Sequence, residues 1–207
     1  IFEHYAFQFF GTSELVIRGL AFSFFLLALV FTYKIGALLF SRKTGVLAST
    51  LTFLNPFFFT YAFEGRMYSI LALGVVGSMY FFLKYFDEKE PSFLTKSGYI
   101  FFSLFALYSH HFSFFAFFIQ GIWFLYELIF AKRKKAQRMI ALLFLIVLGY
   151  VPWLIPLYNQ TKMVGGGFRL GTPTPTDLRN VIYDYLAEGI KQINYTIPII
   201  KLKIYEL

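Results

Sequence analysis

Three residues able to do chemistry interrupt an apolar stretch: Glu64, Arg66 and Tyr68 in NPFFFTYAFEGRMYSILALGVVGS, residues 55–78. A carboxylate can take the proton of an attacking hydroxyl, a guanidinium fork pairs with phosphate oxygens in a bidentate way, and a phenol can orient a bound group by hydrogen bonding. Their plainer reading is a hairpin turn in which Glu64 and Arg66 are solvated or paired with each other. A second pair, His110 and His111, stands in LYSHHFSFF, where imidazole could donate to a phosphate or pass a proton near neutral pH. Without further His, Cys or acidic residues at ligand spacing the two histidines are weak evidence for zinc. No metal site is assigned, and a divalent cation is left open as a cofactor. Glu3, His4, Glu14 and Arg18 occupy the N-terminal IFEHYAFQFFGTSELVIRGL. Arg18 reads either as a snorkelling interfacial anchor or as a residue facing substrate.

The elements that must position these residues are membrane helices. The chain of 207 residues is 58% hydrophobic with a mean hydropathy of +0.63, well above the soluble norm of roughly half apolar residues. Its formal charge of +8 does not call for a nucleic-acid partner, because the Lys and Arg residues fall in short runs between apolar stretches. The absence of cysteine excludes disulfides, thiolate metal sites and Cys nucleophiles. A spanning helix needs about 20 mainly apolar residues, and residues 19–40, 45–63, 67–86, 112–131 and 139–158 are candidates. Residues 97–131 are too long for one upright span. Breaking them at Ser109, His110 and His111 puts all three basic loops on one side: Arg42 and Lys43; Lys84, Lys89 and Lys96; and KRKKAQR, residues 132–138. Cytoplasmic loops collect Lys and Arg.

The expected fold class is therefore all-α: a polytopic helical membrane bundle of about six membrane helices. Residues 1–14, the 64–66 turn, the 109–111 break and everything after 158 are expected on the outer face. Residues 1–158 form the transmembrane domain. Residues 159–207 form an outer loop, rich in Gly and Pro, with an amphipathic helix over 177–188 capped by Thr176 and stopped by Gly189. The glycines are not a P-loop, since no Gly-Lys-Ser/Thr follows them. Gly74, Gly77 and Ser78 read as small residues that let helices pack closely in lipid. Asn159-Gln-Thr and Asn194-Tyr-Thr match the glycosylation acceptor pattern. From Ile1, without a start or signal pattern, the chain reads as a fragment.

Several of these motifs together resemble the polytopic glycosyltransferases of the GT-C superfamily, which includes protein O-mannosyltransferases, aminoarabinose transferases and Rgt-type sugar transferases. Phe10-Gly11, Ser13-Glu14 and Arg18 come first, then Asn55-Pro56, then Tyr61-Ala62 leading into Glu64, Arg66 and Tyr68, and finally LYSHHFSFFAFFIQ. The likeness covers roughly residues 1–160. It implies transfer of a sugar from a polyprenyl-phosphate carrier to a lipid, glycan or protein acceptor, with inversion, on the outer face of the plasma membrane, or of the endoplasmic reticulum in a eukaryote. It further implies a catalytic Asp in an acidic loop ahead of Ile1. Arg66, Tyr68, His110, His111 and Arg18 then bind substrate, with Glu64 as a second acid. From another class, a flippase or transporter of lipid-linked substrate would carry its polar residues along the bundle axis near the midplane. In this sequence they gather at the outer ends.

Overall fold

The computed structural model describes residues 2–164 and 174–176. The described residues are helical, without strands. In chain order the helices are α1 (Phe2–Phe10), α2 (Glu14–Leu39), α3 (Arg42–Leu54), α4 (Pro56–Ala62), α5 (Tyr68–Asp87), α6 (Phe93–Ser109), α7 (Ser113–Ile129), α8 (Arg133–Tyr150) and α9 (Leu154–Val164), with a 3-10 turn Val151–Trp153 between the last two.

Local chemistry sets these boundaries. Side chains of Ser13, Ser41 and Ser92 accept the Val16, Thr44 and Thr95 N–H groups at 3.4, 3.1 and 3.1 Å, capping α2, α3 and α6. Asn55 ends α3 and caps α4, accepting from Phe57 N–H at 3.0 Å and Phe58 N–H at 3.2 Å, while Pro56 takes the first helical position, where no N–H is needed. The stretch 45–63, expected as one span, is thus two short helices. The expected break in residues 97–131 is present at His110–Phe112, and α6 and α7 have 17 residues each. Residues 159–164, expected as loop, continue α9. The amphipathic helix over 177–188, Gly189 and Asn194-Tyr-Thr lie outside the described residues.

Three stretches are long and apolar enough to cross a membrane: Glu14–Leu39, Tyr68–Asp87 and Arg133–Lys162. At 17 residues α6 and α7 extend about 26 Å, a little short of a hydrocarbon core of about 30 Å.

Ring contacts fix the helix directions. Phe22 stacks on Phe63 at 4.5 Å and Lys34 lies 5.5 Å from the Tyr80 ring, so α2 and α5 run the same way. Against α5, α6 runs the opposite way: a Cβ on Gly74 would lie 2.7 Å from Ala106 Cα, and one on Gly98 would lie 2.7 Å from the Phe81 ring. The small residues thus let the two helices approach closely. At the far end of α5, Lys132 donates to the Phe86 carbonyl at 2.6 Å, Lys135 donates to the Glu88 carbonyl, and Arg138 pairs with Glu90 at 3.1 Å. The corners at 40–42, 87–92 and 130–133 therefore share one basic end. The loop at 11–13, the turn at 63–67 and the break at 110–112 lie at the other.

Candidate functional site

At the end opposite the basic corners, α2, α4 and α5 enclose a cavity of about 570 Å³ that also reaches Thr52 of α3 and Phe112. Along α5 it runs from Tyr68 to Val76, a depth of about 12 Å at the helical rise. Phe25, Leu29, Phe57, Phe58 and Ala72 are among its apolar lining residues. Thr32, Thr52 and Ser69 bring hydroxyls to an otherwise largely apolar wall. Thr32 Oγ1 donates to the Ala28 carbonyl at 3.0 Å and Thr52 Oγ1 to the Ala48 carbonyl at 2.9 Å, so both hydroxyl protons stay within their own helices. What remains is an apolar bore with Tyr61 and Tyr68 toward one end, their rings edge to face at 5.1 Å.

Just beyond Tyr68 lies the turn that joins α4 to α5. Arg66 Nε stands 3.4 Å from Glu64 Oε1, with the Arg66 side chain 62% and the Glu64 side chain 32% exposed. The turn depends on Gly65, whose φ of +66° is costly for any residue with a Cβ. A Cβ there would also come within 2.6 Å of Ile17 Cγ2, which ties the turn to the start of α2. An exposed pair of this kind contributes little to stability. It keeps a guanidinium in place while leaving it available to a stronger anion.

The remaining expected residues divide. His110 caps α6 and is held, its Nδ1 accepting the Phe112 N–H at 3.1 Å with the rings 4.6 Å apart. Because Phe112 lines the cavity, His110 stands one ring away from it. His111 is exposed, and its ring centre is 6.0 Å from that of His110. Arg18 is turned to Glu14 one helical turn earlier, at 2.9 Å from Nε, and both are exposed. Thus Tyr68 lines the cavity, Glu64 and Arg66 flank it, His110 adjoins it through Phe112, and Arg18, paired with Glu14 as Arg66 is with Glu64, is not among the lining residues. Among the described residues no cluster of three or more His, Cys, Asp or Glu side chains could hold a metal ion.

Polar groups also occur where the sequence reading did not place them. Tyr99 Oη donates to Gln120 Oε1 at 3.2 Å, Gln120 Nε2 donates to Ser78 Oγ at 3.0 Å, and Ser78 donates to the Val75 carbonyl at 2.9 Å. All three side chains are buried, joining α5, α6 and α7 near mid-helix. Ser78 is therefore a hydrogen-bonding residue as well as a small one, and polar groups are not confined to the outer ends. Gln120, alone inside the Phe-rich run FFAFFIQGIWF, was the available signal. Glu127 is likewise buried on α7, with Oε1 accepting the Trp123 indole N–H at 3.2 Å.

Compared with protein-family models, curated proteins and solved structures, the chain matches none of them.

Proposed function

We propose that this chain is a multi-pass membrane glycosyltransferase of GT-C type, with six traverses, that moves a sugar from a polyprenyl-phosphate carrier to an acceptor on the outer face. The observation that carries this reading is the pairing of an apolar bore with a polar rim: the bore suits an isoprenoid chain, and the Glu64–Arg66 turn beside Tyr68 suits its phosphate. The basic end, by the positive-inside rule, faces the cytoplasm, which turns that rim outward.

In this scheme the acceptor oxygen attacks the anomeric carbon from the face opposite the carrier. The bond from that carbon to the phosphate oxygen breaks, and polyprenyl phosphate leaves with the electron pair. Arg66 binds the phosphate and stabilises the charge that grows on it. A phosphate that takes Arg66 also releases Glu64, which becomes free to accept the acceptor proton as a second acid-base group. Tyr68 and His110 orient donor or acceptor at the rim.

The second reading, a carrier of lipid-linked substrate, draws on the mid-helix polar groups. Gln120 bonds both Ser78 and Tyr99, and all three are buried, an arrangement that ties helices together. The transferase reading is therefore preferred. Its test is Arg66→Ala in purified protein given a radiolabelled polyprenyl-phosphate sugar and acceptor. Transfer is expected to be lost with membrane insertion intact; transfer at the unmodified rate would remove Arg66 from the site.

A further inference from the structure

The basic end carries a pattern that orientation in the membrane alone does not require. Its cations fall into two groups. Lys84, Lys132, Lys135 and Arg138 are spent on the chain itself, Lys84 on Glu88, the two other lysines on the Phe86 and Glu88 carbonyls and Arg138 on Glu90. Six others, Arg42, Lys43, Lys89, Lys96, Arg133 and Lys134, are exposed and have no side-chain partner among the described residues. The acids at this end do not neutralise them: Glu88 is occupied by Ser92, Thr95 and Lys84, Glu90 by Arg138, and Glu127 is buried beside Trp123, which leaves Asp87.

Each of the three corners repeats one arrangement. Leu39 and Phe40, 44% and 77% exposed, precede Arg42 and Lys43; Phe93 and Leu94, 85% and 65% exposed, precede Lys96; Ile129 and Phe130, 64% and 75% exposed, precede Arg133 and Lys134. An exposed apolar pair followed within a turn by unpaired cations matches an acyl chain followed by a phosphate. A soluble acidic partner would have no use for the apolar pairs.

We propose that the three corners form a docking surface for anionic phospholipid headgroups of the facing leaflet, with Arg133 and Lys134 as its strongest element. The surface lies at the opposite end from the cavity and does not depend on what the cavity binds.

Trp123 supplies a reporter. It is 42% exposed on α7 and lies six residues, about 9 Å, before the end of that helix, whereas the chain's other tryptophan, Trp153, is at the opposite end. The full chain carrying Trp153→Phe is reconstituted in phosphatidylcholine vesicles, and quenching of Trp123 by brominated phosphatidylglycerol is compared with quenching by brominated phosphatidylcholine. The expected preference for the anionic lipid is roughly fivefold per engaged cation. It should fall by at least about fivefold in Arg133→Gln/Lys134→Gln and, without any substitution in the basic corners, collapse toward equality in about 1 M salt, where screening shortens to about 3 Å. Lys162→Gln, at the other end, should retain it. Equal quenching by the two lipids, or a preference that survives both the double substitution and the salt, would overturn the proposal.

Discussion

Gly65 and Ile17 are joined so closely that a methyl group on Gly65 would lie 2.6 Å from Ile17 Cγ2. The turn holding Glu64 and Arg66 is thus fixed by two constraints at once, a positive φ and a neighbouring helix. Gly65→Ala should cost about 1–2 kcal/mol from backbone conformation alone, with the Ile17 contact adding to it. Unfolding of the detergent-solubilised protein measures this. A change below the resolution of the titration would mean that the turn relaxes freely and does not hold Arg66 in place.

Glu64 and Arg66 should be separable by kinetics. Under the proposed function, Glu64→Gln removes the anion that competes with phosphate for Arg66, so the apparent affinity for the polyprenyl-phosphate donor should rise. If Glu64 also accepts the acceptor proton, kcat should fall by about 10²-fold or more, in the range expected for loss of a general base. Steady-state KM and kcat report the two effects independently. An unchanged donor KM would show that Glu64 does not occupy Arg66 in the free protein.

Gln120 links α5, α6 and α7 through its hydrogen bonds to Ser78 and Tyr99. Gln120→Leu should destabilise the bundle by about 0.6–1.7 kcal/mol, the range for hydrogen bonds between helices in a membrane. Tyr99→Phe should then add little to the loss in the double variant, because the bond it removes is already gone. Full additivity in SDS unfolding titrations would show that the two side chains act independently.

Acid should loosen the basic end through Glu88. Burial raises its carboxyl, but the Ser92 N–H, the Thr95 hydroxyl and the Lys84 ammonium outweigh burial and hold it below its ordinary value of 4.5. A depressed folded pKa means that Glu88 stabilises the folded chain above the unfolded value and loses that contribution as pH falls through the folded one. Glu88→Gln should therefore lower the Tm at about pH 7, with the difference shrinking as the solution is acidified. A difference that stays constant with pH would show that the carboxylate contributes by shape alone.

The helical class, the shared end of the basic corners and the break at His110 were legible because they follow from charge placement and apolar run length. The broken helix at Asn55-Pro56 was legible in principle, since Pro favours a helix start and Asn a cap, but length alone made residues 45–63 look like a single span. The cavity was not legible. Its wall comes from α2, α3, α4 and α5, and only their packing shows that the Thr32 and Thr52 hydroxyls turn inward to their own helices. Arg18 illustrates the same limit, since its pairing with Glu14 one turn earlier shows only in the structure.

The division of α3 from α4 bears on what holds the cavity together. With 13 and 7 residues, neither helix is long enough to be stable by itself, whereas α2 has 26. The wall they contribute to the cavity therefore depends on α2, against which α3 is set where Gly45 meets Tyr33. A bulky residue at Gly45 would push α3 off α2 and disturb the cavity from a position that does not line it.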